Sequence, residues 1–470
     1  AGYFARLNYN YKEKYLLEAN IRYDGTSRFQ SDKRWQWFPS VSAGWNIAKE
    51  DFWEDFSSDI STFKFRGSWG ELGNQNTNDW YPTYVTLPFN PANGSWLVNG
   101  LRPNTSSVPG LVSTFLTWER VQSWDVGLDV AMFNNRFTGS FDYFTRYTYD
   151  MVGPGMELPA TLGTGSPATN NTDLKTYGFE VSLSWKDRLD NGLGYGIDIM
   201  LSDSQSEILK YPNQINDLSR YREGQKVGEI WGYETLGIAK TNEEMQNHLA
   251  SLPNGGQDAL GNQWAAGDIM YADINRDGRI DSGSWTEEDP GDRKLIGNSS
   301  ARFPFSFTLS ADWKGFDFRT FFQGIMKRDY FQGSYYFWGA SSSGQWWSTG
   351  LVEHEDYFRA DANHPLGQNL DSYYPRPVFS GKNQQTQTKY LQNAAYIRLK
   401  NIQLGYTIPS EIMEGLGINR FRVYVSGENL WTGTNLSGVF DPETIDGGPD
   451  DNGNVYPLSK TFALGLNINF

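Results

Sequence analysis

The last nine residues of the chain, Phe462–Phe470, alternate between two kinds of side chain. The apolar set is Phe462, Leu464, Leu466, Ile468 and Phe470, and the residues between them are small or polar. A period of two is the pattern of a β-strand, because successive side chains point to opposite faces. An apolar strand that runs to the last residue is unusual in a soluble domain and typical of a membrane barrel, whose final strand must pair.

The same alternation recurs along the chain, for example in Tyr15–Tyr23, Tyr177–Trp185 and Phe303–Trp313. We count about thirteen such strands, many of them as long as the roughly 9–11 residues that cross a bilayer at a tilt. Short turns such as Asn134-Asn135 alternate with long polar segments. The long segments are 71–119, 150–175, 208–300, 327–392 and 429–458. The sequence therefore predicts an all-β fold, a transmembrane antiparallel β-barrel in which 208–300 and 327–392 are long extracellular loops.

Composition excludes several other classes of protein. The net charge of −15 makes nucleic acid an unsuitable partner, since phosphate binding needs a basic surface. No run of 18 apolar residues is present, so the sequence predicts no membrane-spanning helix. The strands of a large soluble sandwich or propeller also alternate between apolar and polar residues, so such a fold stays open as an alternative. The sequence has no repeat of 40–50 residues, which argues against a propeller.

The number of strands carries a further expectation. Bacterial barrels have an even number of strands, with both chain ends on the periplasmic side. About thirteen strands counted back from Phe470 leave an odd set, which cannot close by itself. Ala1 opens directly in a strand-like run without a signal peptide. We therefore expect the C-terminal portion of a barrel whose other strands lie upstream or on another chain.

Several motifs resemble the barrel of SusC-like TonB-dependent transporters. They are Arg34–Trp45 (RWQWFPSVSAGW), Trp124–Asp129 (WDVGLD), Tyr396–Pro409 (YIRLKNIQLGYTIP) and Phe440–Glu443 (FDPE). They occur in family order and span nearly all of residues 1–470, so the whole chain is interpreted as a barrel portion.

The resemblance implies a 22-stranded barrel in the bacterial outer membrane, of which this chain supplies about the last thirteen strands. It implies a SusD-like surface lipoprotein as a lid, and contact with TonB through an N-terminal plug-bearing region that this sequence lacks. The implied function is import of nutrients, oligosaccharides above all, and not enzymatic catalysis. A peptide importer and a barrel scaffold that transports nothing stay open. A soluble carbohydrate-binding protein or hydrolase is a third class, but no catalytic motif supports a hydrolase.

One segment has the D-x-N-x-D-G spacing of a calcium loop. Asp273, Asn275 and Asp277 would supply side-chain oxygens, Arg279 its carbonyl and Asp281 a further carboxylate. Position twelve is Ser284 instead of Glu, for which Asp281, Glu287 or Glu288 could compensate. The sequence predicts bound Ca²⁺ or Mg²⁺ that stiffens the loop, and a hydrogen-bonded Asx turn is the alternative.

Aromatic residues are concentrated in the 327–392 loop. The predicted contacts to the cargo or to the lid are Tyr335, Tyr336, Trp338, Gln345, Trp346 and Trp347. Aromatic rings beside polar groups suit a sugar, which presents an apolar ring face and hydroxyls. The alternative is that these rings pack against one another. The three histidines, His248, His354 and His364, show no metal-site spacing.

Overall fold

Thirteen long strands carry the alternation that the sequence predicts, and they form one antiparallel sheet in chain order. The computed structural model describes residues 1–77, 80–156, 158–339, 350–413, 417–447, 453 and 455–469. The chain divides into two units. The first contains residues 1–181, 204–214 and 221–226, and the second contains 182–203, 215–220 and 227–470.

The first unit consists mainly of long strands. Its strands are β1 (Gly2–Tyr11), β2 (Tyr15–Gly25), β3 (Trp35–Asn46), β4 (Ile60–Asn74), β5 (Phe89–Asn90), β6 (Thr105–Ser106), β7 (Glu119–Met132) and β8 (Phe137–Gly153). Two further strands, β9 (Thr169–Arg188) and β10 (Gly194–Lys210), contribute residues to both units. Short 3₁₀ turns lie at Ile47–Lys49, Asp51–Phe56 and Ala160–Leu162.

The second unit adds long strands and a set of short elements between them. Its strands are β11 (Glu229–Tyr233), β12 (Thr235–Ile238), β13 (Ile269–Tyr271), β14 (Arg293–Asn298), β15 (Arg302–Trp313), β16 (Phe316–Lys327), β17 (Asp329–Tyr330), β18 (Gln392–Asn393), β19 (Tyr396–Ile408), β20 (Arg420–Thr434) and β21 (Thr461–Asn469). Its helices are α1 (Asn242–Ala250), α2 (Tyr335–Trp338) and α3 (Ser410–Met413), and 3₁₀ turns lie at Val352–Glu355, Gly381–Asn383 and Thr388–Tyr390. None of the helices described is both long and apolar enough to cross a membrane.

Each long strand has one apolar and one polar face. In the first unit Leu7 lies opposite Ala19 on the apolar face, while Arg6 and Glu18 form an ion pair of 2.5 Å on the other. In the second unit Val425 lies opposite Leu464, and small or polar residues occupy the intervening positions. The alternation predicted for β21 is therefore confirmed through Asn469, whereas Phe470 lies outside the described residues.

Aromatic rings collect at the two ends of the apolar face. At one end of β2 and β3, the Tyr23 ring stacks on Trp35 at 4.9 Å and on Trp37 at 4.2 Å. At the other end, Tyr11 and Tyr15 stack at 6.4 Å. Two aromatic belts that flank an apolar band are the arrangement found where a barrel crosses the two membrane interfaces.

Short and long connections alternate along the chain, but two of the connections expected to be short are longer. Tight turns join β1 to β2 and β15 to β16. The connections 47–59 and 409–419 lie on the same end of the strands, yet they contain 3₁₀ turns and α3. They are longer than the turns that the sequence analysis expected at that end. The long connections are 75–118, 154–168, 211–301, 328–395 and 435–460.

The long connections of the second unit are folded rather than irregular. We define the loop module as residues 227–301, 328–339, 350–395 and 435–447. β11 pairs with β14, and β12 pairs with β13. Helix α1 begins after Thr241, whose hydroxyl oxygen accepts a hydrogen bond from the backbone nitrogen of Glu244 at 3.1 Å. The sequence analysis predicts long loops here, and within these connections the structure has short paired strands and helix α1.

The loop module has a hydrophobic core of its own. The fully buried side chains of this core include Tyr271, Tyr390, Phe337, Met245, Ile269, Ile280 and Ile445. They come from all three long connections of the second unit. Because burial of a large apolar side chain contributes about 1.5–3 kcal/mol, this core can order the connections without help from a membrane.

Candidate functional site

The loop module is organised around one buried carboxylate, Asp268, which is 0% exposed. Its oxygens accept hydrogen bonds from Arg376 Nε at 2.8 Å, Arg376 Nη2 at 2.7 Å, Lys382 Nζ at 2.8 Å and Asn383 Nδ2 at 2.9 Å. Burial opposes ionisation, but these donors outweigh it and hold the pKa of Asp268 below its usual range. The carboxylate therefore joins the 211–301 connection to the 328–395 connection.

Lys382 completes this buried centre. It is 3% exposed, and its ammonium also donates to the backbone oxygens of Asn262 at 3.1 Å and Gln263 at 3.0 Å. The same ammonium lies 4.7 Å from the centre of the Trp264 ring. Each of its three protons thus has an acceptor, so Lys382 has a structural role and fixes the position of Asp268 and, through it, of Arg376.

A cleft of about 490 Å³ opens beside this centre. Its lining includes Trp338, His354, Glu355, Tyr357, Tyr374, Arg376 and Gln384, together with Pro375 and Pro377. Ligand sites are usually clefts of about 300–1,000 Å³ lined by apolar and aromatic groups with a few convergent polar groups. The cleft fits this description in both size and lining.

Tyr374 presents a polar atom to the cleft although the residue is only 6% exposed. Its backbone nitrogen donates to Asp356 at 2.9 Å, and its ring packs near Phe337 and Tyr373. Its hydroxyl has no hydrogen-bond partner in the described part of the chain. Burial raises the pKa of Tyr374 above its ordinary range, so the hydroxyl stays protonated and can both donate and accept.

Three further polar groups of the lining are available to a ligand. Within the described ranges, the Glu355 carboxylate and the Gln384 amide make no hydrogen bond. Arg376 uses Nε and Nη2 on Asp268 and Nη2 on the Gln263 oxygen, which leaves Nη1 for another acceptor. The cleft therefore offers an acceptor, a charged donor and an amide that can do both.

His354 holds one wall of the cleft. Its Nδ1 accepts from the backbone nitrogen of Leu351 at 2.8 Å, and its Nε2 donates to the carbonyl oxygen of Tyr336 at 2.9 Å. Because the carbonyl can only accept, the neutral ring carries its proton on Nε2. These two bonds fix the 351–354 turn against α2.

The aromatic residues predicted as contacts are only partly in the cleft. Trp338 lines it and donates from Nε1 to the Gln332 oxygen at 3.1 Å. Tyr335 and Tyr336 lie half-buried with their rings 4.3 Å apart. The adjoining Phe337 is fully buried in the core of the loop module. Gln345, Trp346 and Trp347 lie outside the described residues.

The sequence analysis did not identify four groups of the cleft, namely Glu355, Tyr374, Arg376 and Gln384. A usable signal was the run Tyr373-Tyr-Pro-Arg-Pro377, in which two aromatic residues precede two prolines around an arginine. Prolines stiffen the backbone at low entropic cost, so such a run can present side chains from a fixed surface.

The predicted cation loop folds as a tight turn. Asp273 Oδ2 accepts from the backbone nitrogen of Gly278 at 2.9 Å, and Asp277 Oδ1 accepts from that of Arg279 at 3.1 Å. Gly278 has a φ of +82°, which favours glycine at this position. The other oxygen of Asp273, Oδ1, is buried and has no hydrogen-bond partner in the ranges the structure covers.

The side chain of Arg279 lies among the carboxylates of this loop. Its Nε is 2.7 Å from Asp281 and 3.4 Å from Asp277. In the described ranges, no three His, Cys, Asp or Glu side chains converge as a metal site would require. With this rotamer of Arg279, the predicted ligands therefore do not converge on one point. They are Asp273, Asn275, Asp277, Arg279 and Asp281.

A carboxylate that the sequence analysis did not consider also reaches the loop. Asp292 is fully buried, and it accepts from the backbone nitrogens of Ile274 at 2.7 Å and Asp281 at 2.9 Å. Burial raises the pKa of Asp292. Asp292 therefore links the two ends of the loop by hydrogen bonds. The sequence analysis considered Glu287 or Glu288 for the carboxylate that completes the loop.

Comparison with known proteins gives the class of the fold. Residues 1–222 match the family model described as "TonB dependent receptor-like, beta-barrel". Among solved structures, one of the RagAB peptide transporter covers 100% of this chain and 47% of that chain, with a TM-score of 0.76 and 23% identity. The fold of the chain is thus that of the barrel of a TonB-dependent receptor.

Curated relatives align with the whole chain. TonB-dependent receptor P3 of Formosa agariphila is 29% identical over 99% of this chain and 45% of the relative. TonB-dependent receptor SusC of Bacteroides thetaiotaomicron is 27% identical over 100% of this chain and 43% of the relative. The chain is therefore similar to SusC along its whole length, and it spans about half the length of the curated relatives it matches.

In a membrane barrel of this fold, the apolar face of the sheet tolerates a charged side chain much less than the polar face does. Val425 lies on the apolar face of β20 and the adjoining Ser426 on the polar face. We expect Val425→Arg to destabilise the folded protein in the outer membrane by about 2–4 kcal/mol, because a charge near the bilayer midplane loses its hydration. Ser426→Arg is the matched control and should change stability little. The folded fraction, measured by heat-modifiable migration, checks this, and equal losses for both variants would contradict it.

Proposed function

We propose that this chain is the barrel part of an importer that moves oligosaccharides across the outer membrane together with a SusD-like surface lipoprotein. The observation that carries the proposal is the alignment of the whole chain with SusC, on a sheet whose strands, such as β1 and β2, have polar residues along one face. A polar face lines a path for a hydrophilic cargo. TonB would act through a plug-bearing region of the whole receptor.

The chemistry of the loop module supports a sugar as the cargo. Aromatic rings, an amide and oppositely charged groups line one cleft. The alternative is a peptide cargo, since the RagAB peptide transporter has a similar fold. That likeness, at 23% identity, supports the fold and not the cargo. A barrel scaffold without transport is the remaining alternative.

A deletion strain tests the proposal. Cells that lack the receptor should lose uptake of at least one fluorescent oligosaccharide, while uptake of labelled peptides stays unchanged, and the native receptor should co-purify with a surface lipoprotein. Loss of peptide uptake alone would replace the oligosaccharide by a peptide. Unchanged uptake of both classes, with no co-purifying lipoprotein, would leave a scaffold.

We also propose that the stacked pair Tyr335 and Tyr336 contributes to the contact with the lid or the cargo. The two rings are half-buried and stand beside Trp338 at the start of a segment rich in aromatic residues. A Tyr335→Ala, Tyr336→Ala double variant should weaken lipoprotein co-purification or uptake without affecting barrel assembly. If neither changes, the rings only pack against each other.

A further proposal concerns Ca²⁺ or Mg²⁺ in the 273–281 turn. The turn geometry around Gly278 and the unpartnered Oδ1 of Asp273 support it. The Arg279 guanidinium opposes it, because it already neutralises Asp277 and Asp281. Asp273, Asn275, Asp277, Asp281 and the Arg279 carbonyl would hold the ion once the guanidinium turns to solvent. The ion would stiffen the loop without taking part in chemistry.

Removal of the Arg279 side chain tests whether its guanidinium competes with a bound cation. We expect Arg279→Ala to bind Ca²⁺ about tenfold more tightly than the native protein, since a competing cation is removed and the carbonyl ligand is kept. Asp277→Asn should bind more weakly than the native protein. Calorimetric titration with CaCl₂ and with MgCl₂ measures both. If neither ion binds to the native protein or to Arg279→Ala, the turn is closed by hydrogen bonds alone.

A further inference from the structure

We infer that the cleft between Trp338, Glu355, Tyr374, Arg376 and Gln384 is a binding subsite for an uncharged saccharide. The inference rests on the proposed function and deepens it, since it places recognition of the cargo at named groups of the loop module. All of these residues belong to the second unit.

The unpartnered hydroxyl of Tyr374 is the first argument. The residue is almost completely enclosed, yet its hydroxyl has no partner in the described residues. A tyrosine hydroxyl that makes no hydrogen bond within the protein can donate one to a ligand and accept another from it. Since the residue lines the cleft, a molecule that enters the cleft is in position to pair with this hydroxyl.

The available partners suit hydroxyl groups. A sugar hydroxyl donates one hydrogen bond and accepts others, so it can pair with Glu355 as donor and with Arg376 Nη1 as acceptor. The Gln384 amide accommodates either direction. Trp338 and Tyr357 add aromatic surface for the apolar face of a pyranose ring. A single saccharide can therefore use every available group in the lining.

The charges of the cleft and its buried centre favour an uncharged ligand. The two charged residues of the lining, Arg376 and Glu355, are opposite in sign, and the charge of Arg376 is already paired with Asp268. An acidic sugar or a peptide terminus would bring a charge that this set does not balance, and desolvating an unbalanced charge is costly. Hydroxyls bring hydrogen bonds without net charge.

The cleft is also held in shape before a ligand binds. Asp268 fixes Arg376 through two hydrogen bonds, and His354 fixes the wall that carries Glu355. Ordering of side chains on binding costs about 0.5–1.5 kcal/mol for each immobilised group. Because the centre has already ordered Arg376, that side chain adds little to the cost of binding.

The experiment compares two tyrosines that adjoin in sequence. The native receptor in detergent is titrated calorimetrically with hexasaccharides of β-1,4-glucan, α-1,4-glucan, β-1,3-glucan, β-1,4-mannan and β-1,4-xylan, and with hexagalacturonate and hexaalanine. Tyr374→Phe removes only the unpartnered hydroxyl, so the fold is retained. Tyr373→Phe removes a hydroxyl outside the lining and is the matched control.

At least one uncharged hexasaccharide should bind, and its Kd should rise about fivefold in Tyr374→Phe and about tenfold in Glu355→Gln, with Tyr373→Phe unchanged. The inference is overturned if no uncharged saccharide binds, if hexagalacturonate or hexaalanine binds more tightly, or if Tyr374→Phe behaves like Tyr373→Phe. If Tyr374→Phe and Glu355→Gln leave both the Kd and the oligosaccharide uptake unchanged, the cleft is not the binding subsite. The proposed function would still stand. Unchanged uptake in the deletion strain removes the proposed function itself.

Discussion

Replacement of Asp268 by Ala should unfold the loop module while the long strands stay paired. The substitution leaves Lys382 and Arg376 without their carboxylate, and Lys382 is almost fully buried. Removal of one partner from a buried ion pair costs about 3–5 kcal/mol, because the remaining charge is left uncompensated. Hydrogen exchange in native outer membranes should show lost protection in 229–298 and 374–393, with protection of β15 and β16 kept.

An exposed ion pair of the same module provides the control. Lys240 and Asp371 are paired at the surface, with side chains 53% and 82% exposed. Asp371→Ala should cost less than about 1 kcal/mol, since solvent screens the pair. Full protection of the loop module in Asp268→Ala would show that the hydrophobic core alone holds it together.

The same carboxylate gives the loop module a pH dependence of defined sign. The pKa of Asp268 is lowered in the folded state, so its contribution to stability is complete above the unfolded value of about 3.9. That contribution is lost as the pH falls through the folded-state pKa. Exchange protection of the module should therefore decline below about pH 4, and Asp268→Ala should lack this step.

Replacement of Arg398 by Ala should release the 435–460 connection from the ends of β19 and β20. Arg398 donates from Nη2 to Asp441 and from Nη1 to Glu443, each at 2.7 Å, and from Nε to Thr432 at 2.8 Å. Arg398 and Asp441 are both buried. We expect a loss of about 3–5 kcal/mol in local stability, because Asp441 is left without its cation. Protease cleavage within 435–447, located by mass spectrometry, measures the release.

Lys400→Ala is the matched control for Arg398. Lys400 also pairs with Glu443, at 2.8 Å, but it does not contact Asp441 through any bond in the described ranges. Its removal should cost about 1 kcal/mol and leave the connection protected, since Arg398 still holds both carboxylates. Equal cleavage in the two variants would mean that the arginine is not the anchor.

The long strands could be predicted from the sequence because their cause is local. One face of every strand must be apolar and the other need not be, so residues such as Leu464 and Ala463 reveal the strand by themselves. No partner elsewhere in the chain has to be known. The motifs that resemble SusC lie largely on these strands, and the comparisons confirm them.

The loop module could not be predicted in the same way because its causes are distant in sequence. Asp268 and Lys382 are 114 positions apart, and the sequence around neither residue indicates a buried charge. Phe337 stands in a run of aromatic residues that suggests an exposed surface, yet it is fully buried. Asp292 lies 11 positions beyond Asp281, outside the spacing of the calcium-loop motif, so a fixed spacing rule does not find it.

The self-sufficient core of the loop module has an evolutionary consequence. Its stability depends on buried rings and on the Asp268 centre, whereas the groups available to a ligand, such as Glu355 and Gln384, make no bonds that hold the fold within the described residues. Surface substitutions away from such supports usually change stability by less than about 0.5 kcal/mol. New cargo preferences can therefore arise by exchange of a few cleft residues, and divergent receptors can inherit one scaffold while they adapt to different nutrients.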